Sequence, residues 1–165
     1  MIAVSNTTPL RYLIAIDQEH LLGQLFEKVF VPAAVHAELT AARTPEKVRQ
    51  RVLSLPAWFE GRMPQQTPPA SFPVNLHRGE REAILLAESL SADVLLMDEQ
   101  TGRTIALGRN LPLSGTLGVL ERADTIGVLS DFPLILKQLK SSGFFIAESL
   151  EQQLLKRCRA RRGAK

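Results

Sequence analysis

The chain has almost no cysteine: Cys158 is the one thiol among 165 residues. A lone cysteine excludes an internal disulfide and any cysteine-rich zinc site, and a reducing, cytoplasmic setting is the simplest expectation. No apolar run reaches the length of about 18 residues that a membrane span needs. Met1 to Leu10 has no basic region ahead of its short apolar stretch, so it does not read as a signal peptide. Aromatic residues make up only 5% of the chain, and its one tryptophan, Trp58, stands beside Phe59 in a proline-rich segment. That residue reads as a core or interface anchor rather than a base-stacking platform. The three histidines, His20, His36 and His77, include no pair at metal-ligand spacing and complete no Ser–His–Asp arrangement. They read as structural or surface groups. The glycines match neither a dinucleotide fingerprint nor a P-loop.

What is present fits one domain with a sizeable core: 45% of the residues are hydrophobic. The net charge of +3 conceals an asymmetry, because the last ten residues hold Lys156, Arg157, Arg159, Arg161, Arg162 and Lys165 and no acid. The expected organisation is a domain over residues 1–155 and a basic tail over 156–165, which either meets nucleic acid or an acidic partner or merely solubilises the end. Cys158, inside that tail, reads as incidental.

Strand and helix signals alternate. Met1 to Val4 is a short apolar strand, and Ser5-Asn6-Thr7-Thr8-Pro9 is a helix start rich in N–H acceptors, followed by the stripe Leu10, Leu13, Ile14 and Ile16. Leu21, Leu22, Leu25 and Phe26 mark a second helix, Val29 to Val31 a strand, and 33–42 a third helix with Val35 and Leu39 inward. Residues 44–55 predict another helix. The proline-rich stretch 56–75 is a surface loop in which Trp58-Phe59 forms a short strand. Helix 79–90, strand 94–97 and a helix to Asn110 follow; residues 111–116 open a strand–turn–helix unit, and helices over 134–140 and 148–159 end the chain. Such alternation predicts an α/β fold with a central parallel sheet of four to five strands and helices on both faces.

In a parallel sheet, ligands gather beyond the carboxyl ends of the strands. Asn6 falls there after the first strand and Asp98 after strand 94–97, although an acid at that place also serves simply to cap the next helix. In helix 79–90 a rotation of about 100° per residue sets Glu80 in the arc of Ala83, Ile84, Leu86, Ala87 and Leu90. Glu82 lies just outside that arc and fits a solvated role. A carboxylate on an inward stripe needs a polar cluster or a metal, since burying it alone is costly. Glu38, beside Val35 and Leu39, either points at the same cleft or is solvated.

Asn6-Thr7-Thr8 after the first strand, Glu38 on the third helix, Gly79-Glu80 with Glu82-Ala83-Ile84, and Asp98 eighteen residues beyond Glu80 together resemble the PIN-domain family over nearly the whole chain. Ser5 to Leu10, Gly79 to Ala83 and Gly115-Thr116-Leu117-Gly118 are similar to one PIN-like subgroup of prokaryotic proteins, related to toxin ribonucleases. The resemblance implies a PIN-like fold and a metal-dependent endoribonuclease acting on RNA, with a small antitoxin protein and a homodimer as partners. The acidic quartet would fall on Asn6, Glu38, Glu80 and Asp98, with Glu82 and Glu99 as neighbours. Oxygen-only ligands select Mg²⁺ or Mn²⁺. Thr7 and Thr8, Thr116 and Arg103 are the expected contacts to substrate phosphates, with a capping role the alternative for Thr116 and an ion pair the alternative for Arg103. Most PIN domains carry Asp where this chain has Asn6, which removes one negative charge. The rival expectation is therefore a weakened or inactive PIN-like module that binds RNA or protein. A phosphatase or receiver-like α/β domain ranks last, because Asn6 cannot serve as its acid nucleophile.

Overall fold

The computed structural model describes residues 1–164. Among these residues five strands form one wholly parallel sheet in the order β3-β2-β1-β4-β5. They are β1 Ile2–Ser5, β2 Lys28–Pro32, β3 Phe59–Arg62, β4 Val94–Leu96 and β5 Leu113–Ser114. Their order reverses direction between β1 and β4, which pair through Val4↔Leu95 and Ser5↔Leu96. That reversal opens a crevice beyond the carboxyl ends of the two central strands.

Among the described residues nine helices connect and cover the strands: α1 Thr7–Ala15, α2 His20–Leu25, α3 Ala33–Thr40, α4 Glu46–Leu53, α5 Arg78–Ser89, α6 Gln100–Gly108, α7 Thr116–Thr125, α8 Phe132–Ser141 and α9 Glu148–Gly163. Side chains alternate across the sheet, so successive residues of β1 enter different cores. Ala3, Val29 and Val31 pack with Leu10, Leu13 and Phe132 on one face. Val4, Phe30 and Leu95 pack with Ile84 and Leu85 of α5 on the other.

The expected elements form with shifts of a few residues, each with a local cause. Helix α3 stops at Thr40 rather than residue 42, and the Thr44 hydroxyl donates to the Glu38 carbonyl at 2.6 Å to close its end. Helix α4 starts at Glu46 because Pro45 occupies its N-cap. Trp58 is half-buried against the main core, edge-on to Phe59 with centroids 6.3 Å apart. The strand beside it begins at Phe59.

The basic C-terminal segment differs most from its sequence reading. Residues 156–163 are not a tail but the last turns of α9, so the structure has no break at residue 155. Leu154 and Cys158 are buried on its inner face. Arg157 binds Glu121 at 2.6 Å, and Arg161 and Arg162 bind Asp124 through Nε at 2.9 Å and Nη2 at 3.3 Å. Burial alone would raise the Asp124 pKa, but hydrogen bonds from the two guanidinium groups outweigh it and hold the carboxyl below its ordinary range. Acids on α7 therefore neutralise charges that look unpartnered in sequence. Burial, with Asp124 adding to it, pushes the Cys158 thiol up, which disfavours the thiolate. Lys165 lies outside the described residues. Among those residues, no helix is long and apolar enough to cross a membrane.

Candidate functional site

The crevice between β1 and β4 is a cleft of about 510 Å³. Its floor is Asn6, directly after β1, and Glu80, at the third position of α5; they are only 3% and 5% exposed. Thr7, Thr8 and Arg11 of α1 form one wall. Glu38 of α3 and Arg43 in the following turn form the next, His77 and Arg78 at the start of α5 a third, and Glu99, between β4 and α6, the last.

Every carboxylate here has a local donor. Glu80 accepts the His77 backbone N–H at 2.7 Å, which satisfies an otherwise free group at the helix start. The Asn6 amide donates to Glu99 at 3.0 Å, and the Thr8 hydroxyl donates to the other oxygen of the same carboxylate. Thr7 donates to Glu38. Burial raises the Glu80 pKa; the His77 N–H opposes this, while the charges of Glu99 and Glu38 reinforce it. Three carboxylates thus crowd one small volume.

The expected site residues separate into two groups. Asn6, Thr7, Thr8, Glu38, Glu80 and Glu99 come together. Asp98 does not join them, because it lines the neighbouring cleft and its two oxygens accept the Thr116 backbone N–H at 2.9 Å and the Thr116 hydroxyl at 2.6 Å. Consecutive residues leaving a strand point to opposite sides, so Glu99 rather than Asp98 enters the main cleft. Burial holds the Asp98 pKa above its usual range, partly offset by the Thr116 donors and raised further by Glu99. Thr116 is fully buried and committed to Asp98, which removes it as a phosphate donor. Gly115, not Thr116, is the N-cap of α7. Among the described residues Arg103 forms no salt bridge; it donates to the carbonyls of Met97 at 2.8 Å and Ser114 at 3.2 Å and so ties β4 to β5. Thr7 and Thr8 spend their hydroxyls on carboxylates.

Glu82 overturns its solvated reading. It is 7% exposed and bridges two helices, accepting the Ala34 N–H at 3.1 Å and the Arg78 guanidinium at 2.7 Å. The reason is that α5 is buried almost all round, from Gly79 to Ala87 with the exception of Arg81, so one inward arc does not describe it.

Sequence reading missed four residues of the cleft. Arg11 follows Thr7 by one helical turn, an i, i+4 spacing that places both on one face. His77 stands three residues before Glu80, the separation of a capping box. Arg78 is the helix position between them and the i−4 partner of Glu82. For Arg43 no local pattern announces the site.

Among the described residues, no three His, Cys, Asp or Glu side chains converge as a ready-made metal cage. The donor chemistry nevertheless fits a hard divalent cation, because Asn6, Glu38, Glu80 and Glu99 offer oxygen alone. The space suits it too. A Cβ on Gly79 would stand 2.8 Å from Glu38 Oε1 and 3.5 Å from Asn6 Oδ1, so glycine keeps open a gap to which both oxygens turn.

Comparison with known proteins places this geometry. Residues 2–160 match the family model DUF3368, described as a PIN domain. PIN domains generally comprise metal-dependent nucleases. The fold is similar to that of a PilT N-terminus domain protein from the hyperthermophilic archaeon Sulfolobus solfataricus P2. The TM-score is 0.50 at 17% identity, over 90% of this chain and 98% of that one. No curated protein matches. Since the model spans nearly the whole chain and the parallel sheet agrees with it, the chain belongs to the PIN-domain family.

Proposed function

We propose that the chain is a Mg²⁺- or Mn²⁺-dependent endoribonuclease that hydrolyses phosphodiester bonds of RNA in the cleft between β1 and β4. One observation carries this reading: Asn6, Glu38, Glu80 and Glu99 face a single crevice at the switch point of the sheet, where burial, reinforced by the charges of Glu99 and Glu38, raises the Glu80 pKa. These four residues would hold the ion. When bound, such an ion lowers the pKa of a coordinated water and shields the phosphate charge.

The remaining steps belong to the protein. Thr7 and Thr8 fix the rotamers of Glu38 and Glu99, and the His77 N–H fixes that of Glu80. Asn6 does two things at once. Its Nδ2 orients Glu99, while its Oδ1 turns to the gap over Gly79. An Asp in its place would face Glu99 as a like charge and would need the cation to hold them together, so the amide trades metal affinity for a site organised beforehand. Arg103 and the Asp98–Thr116 pair hold the strand ends on which the cleft stands.

The likeness of Ser5–Leu10, Gly79–Ala83 and Gly115–Gly118 to toxin ribonucleases supports a further reading: a cytoplasmic toxin, homodimeric and restrained by a small antitoxin. The missing charge at Asn6 favours one rival, a PIN-like module that binds RNA or protein without cutting it. Purified protein incubated with single-stranded RNA and Mn²⁺ separates the two. Cleavage that stops with EDTA and falls about 100-fold in Glu38→Gln is the expected result. RNA that is bound but stays intact at every Mn²⁺ concentration would establish the rival.

A further inference from the structure

Three carboxylates lining one small cleft repel the polyanion that a nuclease must admit. The walls answer this with cations that do not neutralise those acids. Arg11 and Arg43 both line the cleft and are exposed, yet among the described residues neither makes a hydrogen bond or a salt bridge. The Arg11 guanidinium lies 5.9 Å from the ring centroid of its neighbour Tyr12, and no closer polar contact holds it. Arg51, Arg78, Arg109, Arg157 and Arg161, by contrast, are all ion-paired.

The two are also placed by structure. Arg11 stands on α1 one turn beyond Thr7. Arg43 sits in a turn closed by the Thr44 N–H to Ala41 carbonyl bond at 2.9 Å and pinned by the Thr44 hydroxyl on the Glu38 carbonyl. Glu38, whose carboxylate lines the cleft, therefore also anchors through its carbonyl the turn that carries Arg43 to the rim.

We propose that Arg11 and Arg43 form a phosphate-binding subsite at the mouth of the cleft, which takes backbone phosphates of a single-stranded RNA flanking the one that reaches the floor. The inference rests on the ribonuclease reading and names the part of the substrate it holds. A single strand is the substrate proposed because Asn6 and Glu80 are only 3% and 5% exposed, and a flexible backbone reaches such buried groups more readily than a rigid duplex does. Guanidinium groups suit the task because their planar donors grip phosphate oxygens in pairs.

The test is equilibrium binding of a short labelled single-stranded oligoribonucleotide in EDTA, followed by fluorescence anisotropy across a salt series. Without metal nothing is cut, so the readout is independent of catalysis. The double variant Arg11→Gln/Arg43→Gln is expected to bind roughly 10-fold more weakly. Its plot of log affinity against log salt should flatten by about 1.4, since each single-strand phosphate contact contributes about 0.7. Arg11→Lys/Arg43→Lys should keep the slope, because the charges remain. Lys137→Gln/Arg159→Gln, which removes two exposed cations outside the cleft, should leave both quantities unchanged. If the Gln double variant binds RNA like wild type with the same slope, the subsite is wrong and the ribonuclease reading stands. If wild-type protein binds no RNA in EDTA at any salt concentration, the subsite is likewise overturned, while the ribonuclease reading stands or falls on Mn²⁺-supported cleavage.

Discussion

Replacing Glu80 by Gln is expected to lower Mn²⁺-supported RNA cleavage by at least about 100-fold while raising the Tm of the metal-free protein. The first effect follows from chemistry: Glu80 is the buried carboxylate on the cleft floor, and even residues that only support metal ligands are worth about 10–100-fold. The second follows from linkage. Burial, with Glu99 and Glu38 adding to it, holds the Glu80 carboxyl above its ordinary range. A group whose pKa is higher folded than unfolded binds more protons when folded. Its stabilisation is complete below the unfolded value and is lost as pH rises through the folded one. Above the ordinary carboxylate range the ionised form of Glu80 therefore disfavours folding of the metal-free protein. Gln keeps an oxygen for the His77 N–H and removes that charge, so Tm rises by about 2–4 °C for each kcal/mol relieved. The gain should shrink in melts run at a pH below the ordinary carboxylate range, where wild-type Glu80 is itself protonated. Differential scanning calorimetry at two pH values checks this, and a neutral-pH Tm below wild type would count against the crowding of charge.

Asp98→Ala should act in the opposite way, mainly on stability. Its carboxylate is the shared acceptor for the backbone N–H and hydroxyl of Thr116, a fully buried residue at the start of α7. Removing it deletes two bonds to a charged acceptor and strands a buried N–H, which costs about 2–4 kcal/mol. For a chain of this size that is a fall of about 5–15 °C in Tm. Asp98→Asn keeps an oxygen for the N–H and a group that the Thr116 hydroxyl can accept from, so it should cost less than about 1 kcal/mol. Urea melts of the two variants distinguish this anchoring role. Equal and small losses would show that the Asp98–Thr116 pair does not hold α7.

How much of this was legible depended on whether a signal was local. The strand-end position of Asn6 and the sheet that carries it follow from a short apolar run and a helix-start motif. Glu80 was found by helix angle, but the same argument misjudged Glu82, because it assumes one solvated face and α5 is enclosed by the sheet, α3 and α6. Choosing between Asp98 and Glu99 required more than the sequence holds. Both end β4, and their directions are settled by Thr116, eighteen residues beyond Asp98, and by Asn6 and Thr8, more than ninety residues before Glu99. The basic end of the chain looked free because its counter-charges, Glu121 and Asp124, lie on α7. Arg11 was within reach from its spacing to Thr7; Arg43 depends on a turn that only the folded chain displays.

Glu99, with Asn6, Glu38 and Glu80, lines the cleft proposed to hold the metal, while Asp98 serves the helix beside it. Titration of Mn²⁺ into wild-type, Glu99→Gln and Asp98→Asn proteins, followed by isothermal calorimetry without RNA, tests this proposal most directly. The account predicts that Glu99→Gln weakens Mn²⁺ binding by about 10-fold or more and that Asp98→Asn stays within about 3-fold of wild type. Loss of binding in Asp98→Asn with full affinity retained in Glu99→Gln would contradict it.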